Sequence, residues 1–178
     1  LKELPDQPLA FEINDENLDI LLYFQNGKFN FVGINGSEYP QRAQLSEIAK
    51  TISMDSSALL KGINNTAFAL ADNDLRPVMS GIYFDVHPEY VVFVASDSQK
   101  LACFKNMSVQ TGLQTSFILP RKPAALLKNI LAKESGDVTI TFDEKNACFN
   151  LENFILNCRL IEGNYPKYAS VIPQNNPS

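Results

Sequence analysis

The strongest constraint on the fold is a segment that occurs twice. Residues 30–40 read Asn30-Phe31-Val32-Gly33-Ile34-Asn35-Gly36-Ser37-Glu38-Tyr39-Pro40, and residues 157–166 read Asn157-Cys158-Arg159-Leu160-Ile161-Glu162-Gly163-Asn164-Tyr165-Pro166. Each is a strand-like run that leaves through Gly-x-x-Tyr-Pro or Gly-x-Tyr-Pro. The two tyrosines are 126 positions apart, the size of one ordinary domain. Repetition at domain scale implies a copied architecture, of the kind that builds rings, arrays and pseudo-symmetric bodies. Gly and Pro also punctuate strand ends in unrelated chains, so this pair taken alone fits coincidence as well.

The chain has 178 residues, enough for one full core and part of a second. A hydrophobic content of 45% is that of an ordinary globule, and no apolar run approaches the roughly 18 residues of a membrane span. The N-terminal Leu1-Lys2-Glu3-Leu4-Pro5 lacks both Met and the apolar centre of a signal peptide, and so resembles an excised piece. Cys103, Cys148 and Cys158 have no metal-ligand spacing and read as reduced, packed cysteines of a cytosolic protein. A disulfide between Cys148 and Cys158 across a hairpin is conceivable but not favoured.

A net charge of −5 argues at first against nucleic acid. The distribution argues differently. Between Asp97 and Glu134 there is no acid, while Lys100, Lys105, Arg121, Lys122, Lys128 and Lys133 all fall there. The rest of the chain holds nine basic against twenty acidic residues. An acidic body with one basic surface repels DNA generally and tolerates it in one place; chance clustering of charge fits equally well.

Residues 9–40 predict three strands, Leu9–Ile13, Leu18–Phe24 and Lys28–Ile34, with turns at 14–17 and at Gln25-Asn26-Gly27. They read as the second half of a domain. Residues 41–53 read as a connector. A helix is expected from about Ser56 to Ala69, capped by Asp55 or Ser53, with Leu59, Leu60, Ile63, Ala67 and Phe68 as its apolar stripe. Strands follow at Gly81–Val86, Tyr90–Ala95, Leu101–Phe104 and Gln114–Leu119. Pro120-Arg121-Lys122-Pro123 opens a second helix whose stripe is Leu126, Leu127, Ile130 and Leu131. Strands Val138–Phe142, Ala147–Leu151 and Phe154–Ile161 complete the order, and the tail from Gly163 reads as a linker. Helix, strands, helix, strands is a duplicated unit, and two helices on antiparallel sheets make an α+β layout. Both helices turn Lys and Asn outward and no acid, a surface that contacts phosphates without reading bases.

Catalysis has little support. His87 is the only histidine and sits in a turn before Pro88. Asp72, Asp74, Asp85 and Asp97 match no calcium loop, and neither a Walker-type phosphate loop nor Gly-x-Gly-x-x-Gly is present. No catalytic residue, metal or cofactor is expected. Leu75, Val78, Met79, Leu101, Val171 and Ile172 lie in or beside loops, and a loop methionine suits an adaptable peptide-binding surface; closing the bottom of the core is the plainer alternative.

Four ordered segments carry a resemblance. Residues 66–86, from Thr66-Ala67-Phe68-Ala69-Leu70 to Gly81-Ile82-Tyr83-Phe84-Asp85-Val86, resemble the start of the middle domain of the bacterial DNA polymerase III beta subunit, the sliding-clamp family. Val94-Ala95-Ser96-Asp97-Ser98-Gln99-Lys100-Leu101-Ala102 is similar to its Ala-Thr-Asp-Gly-His-Arg-Leu segment. Ile118-Leu119-Pro120-Arg121-Lys122 is similar to its second-helix entry, and residues 160–173 to its closing Gly-x-Phe-Pro-Asp-Tyr-x-x-Val-Ile-Pro. Residues 1–44 resemble the back half of the family's first domain, truncated, residues 45–173 its middle domain, and 174–178 a linker to a third domain.

The resemblance implies a DNA-clamp fold and a non-catalytic processivity factor of the replicative DNA polymerase holoenzyme. It implies a head-to-tail homodimeric ring around double-stranded DNA, in the bacterial cytoplasm at the nucleoid, with no membrane partner. Lys61, Asn73, Arg121, Lys122 and Lys128 are the DNA-facing candidates. A pocket taking a short hydrophobic peptide motif from the polymerase catalytic subunit, clamp loader, repair polymerases and mismatch-repair proteins falls at Met79, Ser96, Ser98, Gln99, Lys100, Leu101, Pro166, Ser170 and Val171. Gln99 stands where a histidine is common, and Ala169-Ser170 replaces an often basic pair. The runner-up is a soluble α+β protein-interaction domain that does not encircle DNA; an esterase- or nuclease-like enzyme is remote.

Overall fold

The computed structural model describes residues 4–39, 44–72 and 76–172. The chain divides into two compact units, Leu1–Arg42 and Ala43–Ser178. The first is an antiparallel meander of β1 (Ala10–Ile13), β2 (Asp19–Phe24) and β3 (Gly27–Val32). The hairpin turn is Gln25-Asn26, so Gly27 opens β3 instead of belonging to the turn as expected. The register aligns Phe11 with Leu22 and Phe29, and Ile13 with Ile20 and Phe31. Strand alternation therefore collects these side chains on one face. Phe11, Ile13, Phe29 and Phe31 remain exposed there.

The second unit contains β4 (Lys50–Asp55), α1 (Ser56–Asn64), β5 (Gly81–Val86), β6 (Val91–Ser96) and β7 (Leu101–Asn106). After them come β8 (Thr115–Pro120), α2 (Arg121–Leu131), β9 (Asp137–Phe142), β10 (Asn146–Asn150) and β11 (Ile155–Arg159). The expected connector thus ends in a strand. Ile52 and Met54 are buried between exposed Thr51, Ser53 and Asp55, but two apolar residues in six are a faint alternation. With β4 in place, the duplication is strand, helix, three-strand meander, twice over. Each leading strand joins the other copy's sheet: the orders are β11-β10-β9-β4 and β7-β6-β5-β8, with β4 antiparallel to β9 and β8 antiparallel to β5. This exchange ties the two copies into one core.

Stacked or tilted phenylalanines cross that core. Phe84 lies 4.7 Å from Phe93 and 4.4 Å from Phe117, and Phe117 lies 4.4 Å from Phe142, between ring centroids. The helices touch each other and reach both sheets. Helix α1 is shorter than expected, ending at Asn64, where the Thr66 hydroxyl donates to the Gly62 carbonyl at 2.7 Å. Phe68, expected in the buried stripe, lies in a following 3₁₀ turn and is exposed. In α2 the buried residues are Ala124, Leu127 and Leu131, while Leu126 faces solvent. No disulfide joins the three cysteines.

Asp55 caps α1, its carboxylate accepting from the Ser57 amide at 2.8 Å and the Ser57 hydroxyl at 2.5 Å. The Ser57 hydroxyl, then its amide, hold the Asp55 pKa below the ordinary carboxylate value. A depressed folded-state pKa stabilises above the unfolded value and loses that stabilisation as pH falls through the folded one. Asp55→Ala is expected to cost about 1 kcal/mol at neutral pH, with the difference from the parent shrinking in acid. Urea denaturation at two pH values checks this.

Candidate functional site

Two surfaces of the second unit concentrate the expected residues. The first belongs to the helices. Lys61, Asn64 and Asn65 are exposed on or just after α1, and Arg121, Lys122, Lys128 and Asn129 on α2, with Lys133 just beyond it. Neither helix contains an acid. The opposite faces supply the buried Leu59, Ile63, Leu127 and Leu131, so core burial leaves the cationic and amide side chains in water. Arg121 differs from the lysines: its guanidinium pairs with Asp72 at 2.5 Å, which offsets its charge locally. Asn73 lies outside the described residues.

The second surface is a groove of about 300 Å³ between the β6–β7 corner and the segment after β11. Met79, from a 3₁₀ turn before β5, is buried at its floor, and Leu101 is half-buried beside it. Pro166 and Val171 form the far wall, and Ser96, Ser98, Gln99 and Lys100 the near rim. Eight of the nine pocket candidates line this groove. Ser170 does not; its hydroxyl turns back to donate to the Lys167 carbonyl at 2.7 Å.

Local chemistry fixes the near rim. The Asp97 carboxylate accepts from the Gln99 and Lys100 amides, both at 2.9 Å, and meets the Lys100 ammonium at 2.8 Å. The Lys100 side chain first, then these amides, hold the Asp97 pKa well below the carboxylate range. The Ser96 hydroxyl donates to the Lys100 carbonyl at 2.8 Å and accepts from the Ser98 amide at 3.2 Å. Ser98 sits at φ 79°, a left-handed conformation that glycine adopts more readily. Its hydroxyl contacts the Met79 sulfur at 3.3 Å and accepts from Arg76. The result is an apolar slot with Arg76 and Lys167 near its rim, the Lys100 charge being offset by Asp97, suited to a short peptide with hydrophobic side chains and a negative flank.

Residues 53–167 match the family model described as "DNA polymerase III beta subunit, central domain". The chain belongs to that family. A curated relative, the beta sliding clamp of Bacillus subtilis, is 29% identical over 99% of this chain and 46% of its own length. That of Staphylococcus aureus is 27% identical over 98% and 46%. The chain therefore spans about half the length of the curated relatives it matches. The solved DNA polymerase sliding clamp of B. subtilis superposes with a TM-score of 0.85 at 27% identity, covering 98% of this chain and 46% of that one. A DnaN sliding clamp from Bartonella birtlesii, solved bound to griselimycin, gives a TM-score of 0.86 at 24% identity over 99% and 48%, a likeness of fold. The α+β architecture, two helices with antiparallel sheets, is that of the family.

Three groove residues escape the sequence reading: Tyr165, Lys167 and Tyr168. In the sequence Tyr165 stands out only as part of a strand exit. Its ring stacks on Tyr83 at 4.7 Å and 6°. Its hydroxyl is buried without a partner in hydrogen-bond geometry. Burial first, then the Cys103 thiol, push that phenol up to about 12. The pairing of an aromatic at a strand exit with an aromatic pointing outward from β5 is the available signal. Two larger hollows of the second unit, of about 360 and 540 Å³, share Ser116, Asp143 and Glu144 in their lining and gather none of the expected pocket residues. Among the described residues no group of three or more His, Cys, Asp and Glu is arranged to hold a metal, and no helix is long and apolar enough to cross a membrane.

Proposed function

We propose that the full-length chain is a DNA sliding clamp, the non-catalytic processivity factor of a bacterial replicative DNA polymerase. It closes as a head-to-tail homodimeric ring around duplex DNA. Residues 1–44 are then the back half of its first domain and 45–173 its middle domain. The observation that carries this reading is the pair of acid-free helices bearing exposed Lys61, Lys122 and Lys128 in a chain of net charge −5. Confined cations facing a polyanion, without base-reading geometry, favour sequence-independent, salt-sensitive contact that permits sliding. The apolar groove with its basic rim takes a short hydrophobic peptide motif from the polymerase catalytic subunit, the clamp loader, and repair polymerases or mismatch-repair proteins. Work at the chromosome places the protein in the cytoplasm, at the nucleoid.

The test is topological. The full-length protein is loaded by a clamp loader on nicked circular DNA, which is then linearised. Retention on the circle with loss from the linear form is expected. Equal retention on both forms would mean ordinary DNA binding. No retention despite a competent loader would favour a protein-interaction domain that never encircles DNA.

A further inference from the structure

The far wall of the groove is irregular chain. After β11 the last backbone bonds to the sheets are Leu160 to the Lys145 carbonyl at 2.7 Å and Ile161 to the Ile118 carbonyl at 3.0 Å. Among the described residues, no backbone–backbone hydrogen bond ties 162–171 to either sheet; the Ser170 amide's bond to the Lys167 carbonyl stays within the segment, at the 3₁₀ turn Tyr168–Val171. Yet this stretch carries Pro166 and Val171, which must stand opposite Met79 and Leu101 for the slot to exist.

Strand β5 supplies what the backbone does not. Its alternation sends Ile82, Phe84 and Val86 into the core and Tyr83 and Asp85 outward. Tyr83 stacks flat on Tyr165 at 4.7 Å and meets Tyr168 edge-on at 6.2 Å. The Tyr168 hydroxyl donates to Asp85 Oδ2 at 2.8 Å. The other carboxylate oxygen, Oδ1, lies 3.2 Å from His87 Nε2, and the His87 ring stacks on Tyr90 at 4.4 Å. Asp85 thus has the His87 ring against one carboxylate oxygen and holds the wall through the other.

We propose that Asp85 is a positioning residue of the groove, anchoring the wall segment 165–171 to β5 through the Tyr168 hydroxyl, with His87 orienting its carboxylate. The proposal rests on the reading of the groove as a peptide site. It assigns work to the lone histidine that catalysis does not use. It also separates two contributions on one strand face: Tyr83 supplies stacking area, whereas Asp85 supplies a directional, charge-assisted bond that fixes where the segment sits. Burial first, then donation to the Asp85 carboxylate, raise the Tyr168 phenol above its ordinary value, so the donor stays protonated at neutral pH.

Fluorescence anisotropy of a labelled hexapeptide rich in leucine and phenylalanine with a free carboxylate, titrated with the full-length protein, tests this. Asp85→Asn and Tyr168→Phe keep the side-chain shapes. Each is expected to raise Kd about three- to tenfold, the loss of one charge-assisted bond. The double variant is expected to be no weaker than the weaker single, because both changes remove one interaction. Amide exchange across 165–171 should quicken in each variant while that of α1 is unchanged. Parental affinity in both single variants, or losses that multiply in the double, would overturn the anchoring role. If the parent itself does not bind the peptide, the peptide-site reading fails; exchange then still decides the anchor, and unaltered protection of 165–171 in Tyr168→Phe would overturn it.

Discussion

Replacing Lys61, Lys122 and Lys128 together by glutamate in the full-length protein is expected to cut retention on nicked circular DNA by roughly tenfold to a hundredfold at moderate salt. Each lysine near a phosphate releases condensed counterions, so the slope of log affinity against log salt should fall by about 0.9 for each phosphate no longer neutralised. Reversal adds repulsion between the new carboxylates and the DNA. Arg121→Gln should do less than any one lysine reversal, because Asp72 already sits 2.5 Å from that guanidinium. Reversing Lys145 and Arg159, which lie outside both helices, is the control and should leave retention intact. The readout is the fraction of clamp eluting with circular DNA over a salt series. Unchanged retention with an unchanged salt slope in the triple variant would remove the helices from the DNA surface and with them the main support for encirclement.

The fold is legible where periodicity is strong and local. Six apolar or aromatic side chains on two face-sharing rows announce β1–β3, and the buried Leu59 and Ile63 announce α1. Strand β4 is not legible, because its assignment depends on β9, a partner some 85 residues later in the chain. Leu126 and Phe68 read as buried because helical spacing counts apolar residues without knowing how wide the facing surface is. In α2 that surface buries the Ala124, Leu127 and Leu131 line and half-buries Ile130, leaving Leu126 outside. The duplicated exit shows the same limit. Tyr39 and Tyr165 occupy matching places in sequence, yet Tyr39 is exposed whereas Tyr165 stacks on Tyr83. The groove candidates come from family resemblance, and they leave out Tyr168 although the closing motif contains it. Its role follows from a hydrogen bond to Asp85, 83 positions away, which spacing along the chain cannot reveal.

Gly62→Ala is expected to destabilise the protein by about 2–3 kcal/mol and lower Tm by about 10 °C, against the direction that helix propensity dictates. Gly62 lies within α1, where alanine would ordinarily gain about 1 kcal/mol over glycine. Here an added Cβ would stand 2.5 Å from Phe93 Cδ1 and Cζ and closer still to Cε1. Phe93 cannot yield, since it is wholly buried, packs on Phe84 at 4.7 Å and sits in the middle strand pair of its sheet. Helix and sheet would have to part instead, and the Thr66 hydroxyl bond to the Gly62 carbonyl would shift with them. Urea denaturation of Gly62→Ala and of Gly62→Ala with Phe93→Leu separates the two effects. The smaller side chain should recover part of the loss in the alanine background, although Phe93→Leu alone costs stability. A midpoint at or above that of the parent in Gly62→Ala would mean that α1 is not seated so closely on β6. The same close approach places Lys61, the neighbouring residue, on the exposed side of α1. Its position on the proposed DNA surface is therefore set by how closely Gly62 lets the helix approach the Phe93 ring.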